Sequence, residues 1–381
     1  MNVVADRRAR DSQTEAVYAA FEHKLREYSK TSSSGRPELN NIYTILHRDI
    51  QCDVDPRQIS DLGWGVDYYM RIFNAIESSG KISSLHFFIS IDSPRALPKY
   101  GSSVVLFILG DERYLFRRYF YKIGCIFRCY TAWPPMPSLS YSLPMLVSGV
   151  SQYIRRFVPS FSSWLVLRLS RLLRWSDGED IHSLPLGYFF HPGKDRISFR
   201  ERGIGFSFAG SIEYVIPFPF DIRRILSPPK LISRRSMFAA IQDYLAAHPN
   251  SGIVKTTASF WNSVEGDDEY LDLLNRSKIV LCPRGNLVET FRFFEAAAAG
   301  CVIICEPLPA AWYYEKHPAI VLRNWRHVDK VLDRLLGDEQ KLLEVANRTA
   351  AYWKDRVSED AVAIYIEGKL TALSVKHRIG R

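Results

Sequence analysis

One stretch, Ser277 to Pro309, constrains this chain more than any other. Lys278 to Cys282 (KIVLC) is a short apolar run rich in β-branched residues and reads as a buried strand. Pro283, Arg284, Gly285 and Asn286 break it with turn chemistry. A helix is expected from this loop to about Ala299, where Gly300 stops it, and Cys301 to Cys305 reads as the next strand. Strand, loop, helix and strand in that order form the parallel βαβ pattern of α/β proteins.

The loop and the first helical turn carry the chemistry. A helix N-terminus has free N–H groups and about half a positive charge, so it favours an anion. Gly285 lets the backbone approach a ligand, Arg284 offers a bidentate guanidinium, and Thr290 offers a hydroxyl. Arg292 and Glu295 share one helix side, and a Glu one turn below a phosphate-binding end is placed to accept from ribose hydroxyls. A plainer reading stays open. Asn286 with Glu289 three residues on resembles a capping box, and many α/β helices carry one surface Glu and Arg. No glycine fingerprint of the dinucleotide or P-loop kind is present.

Read together, CPRG (282–285), ETFRFFEA (289–296) and AAGCVIICEPLP (298–309) resemble the donor-binding segment of exostosin-like glycosyltransferases. The clear likeness covers only about thirty residues, with weaker similarity to bacterial GT-B transferases through the C-terminal half. It implies the GT-B fold, an α/β architecture of two Rossmann-like domains with a cleft between them, the C-terminal one holding a nucleotide sugar. Arg284, Gly285, Glu289, Thr290, Arg292 and Glu295 are then the candidate donor-binding residues. One departure matters. Many retaining GT-B enzymes carry two Glu separated by seven residues, whereas Glu289 and Glu295 stand closer, so the stereochemical course is not carried over.

A chain of 381 residues is too long for one simple core. The expected division is an N-terminal helix and linker (1–37), an acceptor-side Rossmann-like domain (38–185), a nucleotide-sugar domain (186–357) and a terminal helix (358–381). In GT-B proteins such a helix often crosses back to the first domain. The six cysteines show neither CxxC pairs nor zinc spacing and read as reduced, buried thiols. The polar N-terminus and the absence of a run of eighteen apolar residues lead to the expectation of a cytoplasmic protein. The net charge of +9 is uneven. Tyr114 to Trp175 holds nine Arg or Lys and no Asp or Glu, interleaved with aromatic residues and Leu. That suits an anionic membrane surface, on its inner face, or a lipid-linked acceptor; it also suits a merely solvated basic face. No nucleic-acid motif accompanies it, and no nucleic-acid partner is expected.

Along the chain, Asn41 to Leu46 reads as the first strand, with His47 at its carboxyl end, where open α/β sheets place ligands. Gly63 and Gly65 open a loop before a helix whose first turn holds Asp67. Strands at Leu85 to Ile91 and Val104 to Leu109 end in Asp92 and in Asp111 with Glu112. The only Asp-x-Asp, Asp53 to Asp55, reads as a loop in the wrong domain for a donor metal. Ser148 to Trp175 reads as a basic amphipathic helix broken at Pro159. In the second half, the strand Ile204 to Ala209 runs into Gly210 and Ser211, a turn facing the donor side. Arg234 and Arg235 open a helix to about Ala247 and either reach a diphosphate or lie on the surface.

Glycosyl transfer needs stabilisation of the leaving nucleoside diphosphate and, for inversion, a general base. Asp67 and Asp111 are the preferred bases over Asp92, Glu112 and His47, although a helix cap or surface charge explains each better; a retaining course needs none. No metal and no cofactor are expected. The nucleotide sugar, with UDP the commonest guess for exostosin-like enzymes, is a substrate, and its acceptor is a saccharide or lipid-linked, as in bacterial surface polysaccharide synthesis. Two other readings remain: a nucleotide-sugar epimerase on the same fold, with more convergent carboxylates and histidines, and a non-catalytic basic protein that docks on membranes.

Overall fold

The computed structural model describes residues 18–30, 39–58, 62, 65–112, 115, 117–130, 147, 150, 154, 161, 165, 169, 181–191, 197–212, 229–256 and 267–379. It divides into two compact units, one of residues 19–132, 153–189 and 356–381 and the other of residues 1–18, 133–152 and 190–355. We call them the N-terminal and C-terminal units.

The N-terminal unit begins with helix α1 (residues 18–30), which buries Phe21 and Leu25. Its sheet contains β1 (Ile42–His47), β2 (Ile50–Val54), β3 (His86–Ser90), β4 (Gly101–Ile108), β5 (Ile123–Arg128) and β6 (Ile181–Ser183), in the order β2-β1-β3-β4-β5-β6. All neighbours are parallel except β2, which returns from β1 as an antiparallel hairpin. The sequence does not announce β2. Gln51 and Asp53 are polar because the strand is an edge, and Asp53 accepts the Thr44 hydroxyl at 2.6 Å. The Asp-x-Asp read as a loop therefore lies partly in a strand, and Asp55 is buried against Arg57. Period-two alternation gives the sheet two apolar faces. On one, Tyr43 stacks on Phe87 and Phe107 on Phe127, with Phe73 of α2 (Val66–Ser79) edge-on to Phe107 at 4.8 Å. On the other, Phe88, Leu106 and Ile126 meet Leu97, Tyr119 and Phe120 from the strand connections.

The C-terminal unit holds β7 (Ile204–Gly210), α3 (Pro229–Ala247), β8 (Gly252–Thr256), α4 (Asp267–Arg276), β9 (Ser277–Cys282), α5 (Phe291–Ala298), β10 (Val302–Cys305), β11 (Ile320–Val321), α6 (Val328–Leu336) and α7 (Glu339–Tyr352). Its strands run parallel in the order β11-β10-β9-β7-β8. Counted from the first strand of the unit this is the doubly wound 2-1-3-4-5 order, which reverses between β7 and β9. Helix α8 (Glu359–Ile379) follows and packs on α2, with Ser358 capping its start. Two α/β units, each built on a largely parallel sheet, fit the two-Rossmann-like organisation of the GT-B fold.

Candidate functional site

A doubly wound sheet leaves a crevice outside the carboxyl ends of the strands flanking its reversal. Here those ends are Gly210, which closes β7, with Ser211 after it, and Pro283 to Gly285 after β9. Apolar burial of Ile279 and Leu281 holds β9 in the core, so the chain leaves the sheet at Cys282 with its polar residues next in line. Cys282 itself is inert: burial pushes its thiol up to about 12.

Three arginines converge here. Arg292, in the first turn of α5, donates from Nη2 to the Ala209 carbonyl and lays its guanidinium 4.7 Å from the centre of the Phe208 ring. A Cβ on Gly210, whose φ is 150°, would stand 2.5 Å from that same Nη2, so a side chain there would be strained and would displace the arginine tip. Arg234, in α3, is buried and donates to the Ser211 carbonyl at 2.6 Å and the Arg284 carbonyl at 3.2 Å. Burial pushes its pKa down to about 9, with Arg292 beside it acting in the same direction and Glu306 opposing. Arg284 is buried too, and its backbone N–H donates to Glu306 at 2.9 Å. Glu306 follows β10 and also accepts the Ser233 hydroxyl at 2.7 Å, which in turn receives the Trp325 indole N–H at 3.2 Å.

Helix α5 starts later than the sequence suggests. Its N-cap is Thr290, without a side-chain cap bond, so Asn286 and Glu289 lie ahead of the helix and form no capping box. Leu287 and Val288, which look like the first apolar helical positions, are buried loop residues. Glu289 is buried and accepts the Tyr313 hydroxyl at 2.6 Å, which ties the loop to the turn Trp312–Tyr314. Gly285 is held close to Thr290; a Cβ there would meet the Thr290 methyl at 3.3 Å. Glu295 is 3% exposed, and its two oxygens accept the Tyr270 hydroxyl at 2.6 Å and the Phe190 amide at 3.3 Å. Burial, then the Glu295 charge, raise the Tyr270 hydroxyl well above its ordinary value, so it stays a donor.

The structure thus brings Gly210, Ser211, Arg284, Gly285, Thr290 and Arg292 to the sheet reversal, and it resolves Arg234 as buried and Arg235 as exposed. Sequence reasoning missed Glu306, Ser233 and Tyr270. For Glu306 a signal existed, an acid immediately after an apolar strand.

The preferred bases lie in the N-terminal unit. Asp111 is buried and pairs with the fully buried Arg128 at 2.8 Å, while also accepting the Leu115 amide at 3.2 Å. Asp67 is half-buried and accepts the Leu62 amide at 2.7 Å, closing the turn ahead of α2. His47 is buried 3.4 Å from Glu22, and burial lowers its pKa against the pull of that carboxylate. Asp92 and Glu112 are exposed.

Residues 235–363 match the family described as "Glycosyl transferase-like". The match takes in Arg284 to Glu306 and leaves Gly210, Ser211 and Arg234 outside it. No curated protein matches the chain. Among solved structures the chain is similar to one titled "Crystal structure of GtfA/B complex", at 9% identity and a TM-score of 0.38, over 81% of this chain and 60% of that one. This chain therefore spans less than two thirds of the length of that structure.

Proposed function

We propose that this protein is a glycosyltransferase that moves a sugar from a nucleotide-sugar donor to a saccharide or lipid-linked acceptor. The observation that carries the reading is the convergence of Arg234, Arg284 and Arg292 on the β7/β9 reversal. As the glycosidic bond breaks, charge builds on the departing diphosphate, and fixed guanidiniums beside a helix N-terminus stabilise it without reorganising. Arg292 and the amino end of α5 are the proposed diphosphate contacts, with Gly285 and Thr290 allowing close approach. The arginines supply the charge that a metal supplies elsewhere, so the proposed reaction is metal-independent. An epimerase would need histidines and convergent carboxylates at this site, whereas Glu289 and Glu295 are engaged by Tyr313 and Tyr270.

For an inverting course the proposed base is Asp67; Asp111 neutralises Arg128 and serves the fold. A lipid-linked acceptor is favoured by Ile154, Phe161, Leu165 and Leu169, which are helical and 55, 44, 42 and 47% exposed within a sequence bearing only positive charge. Such a surface suits an anionic membrane face.

The test is a thermal-shift series with UDP, GDP, ADP, CMP and their sugars, in chelator and in divalent metal. At about 100 times the dissociation constant a ligand stabilises by ~2.7 kcal/mol. A shift with one nucleotide family, retained in chelator and lost in Arg292→Ala, is expected. No shift with any nucleotide would remove the donor-site reading.

A further inference from the structure

A second cationic site lies in the N-terminal unit. Arg95, Tyr100, Arg117, Arg118, Tyr119, Tyr121 and Lys122 line a pocket of about 500 Å³. Its walls are the connections from β3 to β4 and from β4 to β5. Hydrogen bonds pin those two segments together: Arg117 Nη2 donates to the Ser93 carbonyl at 2.9 Å and the Tyr119 hydroxyl to the Pro94 carbonyl at 2.8 Å. Within the first connection, the Leu97 amide donates to the Tyr100 hydroxyl at 3.1 Å. Lys122 Nζ sits 5.8 Å from the Tyr100 ring centre and 5.6 Å from that of Tyr121.

Arg95, Arg118 and Lys122 are exposed and Arg117 is half-buried, and three features mark the pocket out. The lining holds four cations and no carboxylate. None of the four forms an ion pair among the described residues, and the Arg117 Nε is buried there without a hydrogen-bond partner. Asp111, a buried acid in the second connection, is already taken by Arg128. Like charges gathered on a pinned frame repel one another, and an anion relieves that cost. The position also differs from the crevice of an open α/β sheet: Tyr100 and Lys122 immediately precede β4 and β5, at the amino ends of those strands.

We propose that this pocket binds a phosphate group together with the small moiety that carries it. Guanidiniums recognise the phosphate oxygens, and the tyrosine faces cover the carrier. The volume exceeds that of a bare phosphate and falls within the range of small-ligand sites. The same chemistry is offered by a soluble phosphate ester and by a phospholipid headgroup. The inference stands on this pocket and does not depend on the transferase reading.

The experiment uses the full chain with two probes, inorganic pyrophosphate by titration calorimetry and phosphatidylcholine vesicles with and without phosphatidic acid by co-sedimentation. Arg118→Ala/Lys122→Ala should weaken binding at least about tenfold, while Lys341→Ala/Arg348→Ala, removing the same charge from exposed positions of the other unit, should not. Arg292→Ala separates the pocket from the donor site, since pyrophosphate held at the β7/β9 reversal is lost there alone. Pyrophosphate binding lost in the pocket variant assigns a soluble ester; binding only to phosphatidic acid vesicles, lost the same way, assigns a headgroup. Arg95→Ala, in the other wall, should act in the same direction and serves if the double variant is less stable. Binding of neither probe, or equal loss in the control pair, overturns the proposal.

Discussion

Two buried arginines, one in each unit, show how similar sheets end in different chemistry. Arg128 is fully buried, and its charge is met by Asp111 at 2.8 Å and the Leu115 carbonyl at 3.0 Å. Arg234 is also buried, but backbone carbonyls hold it, Arg292 and Glu306 act on it in opposite senses, and burial drives its pKa down to about 9. The first arrangement sets one buried charge against another. The second gathers positive charge, opposed by Glu306, at the carboxyl ends of its strands, where the proposed diphosphate would sit. Strand order alone therefore does not make a site; what neutralises the charge at the strand ends decides it.

The comparison breaks most visibly at Asp111. Asp111→Ala strands the Arg128 charge in the core, and a loss of ~3–5 kcal/mol in urea unfolding is expected; an unchanged midpoint would refute the closed pair. Next is Gly210→Ala, which pushes Arg292 off its path at a cost of ~1–3 kcal/mol in stability, with nucleotide affinity falling as in Arg292→Ala. If affinity survives, Arg292 does not hold the diphosphate. Arg234→Met sharpens the contrast. Exchanging this arginine for an apolar chain of similar length removes its hydrogen bonds to two carbonyls and should cost about 1–3 kcal/mol in stability, while weakening nucleotide binding about tenfold. A stability loss as large as that of Asp111→Ala would make the two arginines equivalent. The smallest effect is that of pH. His47, His86 and His317 all have pKa values lowered from 6.5 by burial. Below about 6.5 the unfolded chain takes up protons that the native state refuses, so stability should fall as pH drops through that value. Urea midpoints at pH 7.5 and 5.5 check the sign, and His317→Gln should flatten part of the slope.

The sheets were largely legible in the sequence because β-branched apolar runs between Gly and Pro breaks report buried parallel strands; β9 and β10 fall within a residue of their expected bounds. The exception, β2, is an edge strand whose polar residues carry no such signal. The start of α5 was misplaced because Leu287 and Val288 look like the first turn of an amphipathic helix while serving a buried loop. At the candidate site, Arg284 and Gly285 were readable from loop chemistry next to a strand, and Arg292 from its spacing on the helix. Glu295 was readable as a residue but not as a buried one, since its partners Tyr270 and Phe190 arrive from distant segments. Asp111 looked like a base because Arg128, seventeen positions on, meets it only once β4 and β5 pair.

Helix α8 has a consequence for how the protein is made. Glu367 receives Lys81 at 3.0 Å and the Ser79 hydroxyl, Tyr188 reaches Glu359 at 2.6 Å, and Tyr68 reaches the Val357 carbonyl. The layer over α2 in the N-terminal unit is thus supplied by residues beyond 356, translated after the whole C-terminal unit. On the ribosome the sheet and α2 of the N-terminal unit emerge before most of the C-terminal unit and wait for α8 until after it, leaving Tyr68, Ser79 and Lys81 without these partners meanwhile. Nascent chains stalled before residue 356 should then be cut by protease in the N-terminal unit first, and a frameshift or tag that spoils α8 should be felt at the opposite end of the sequence.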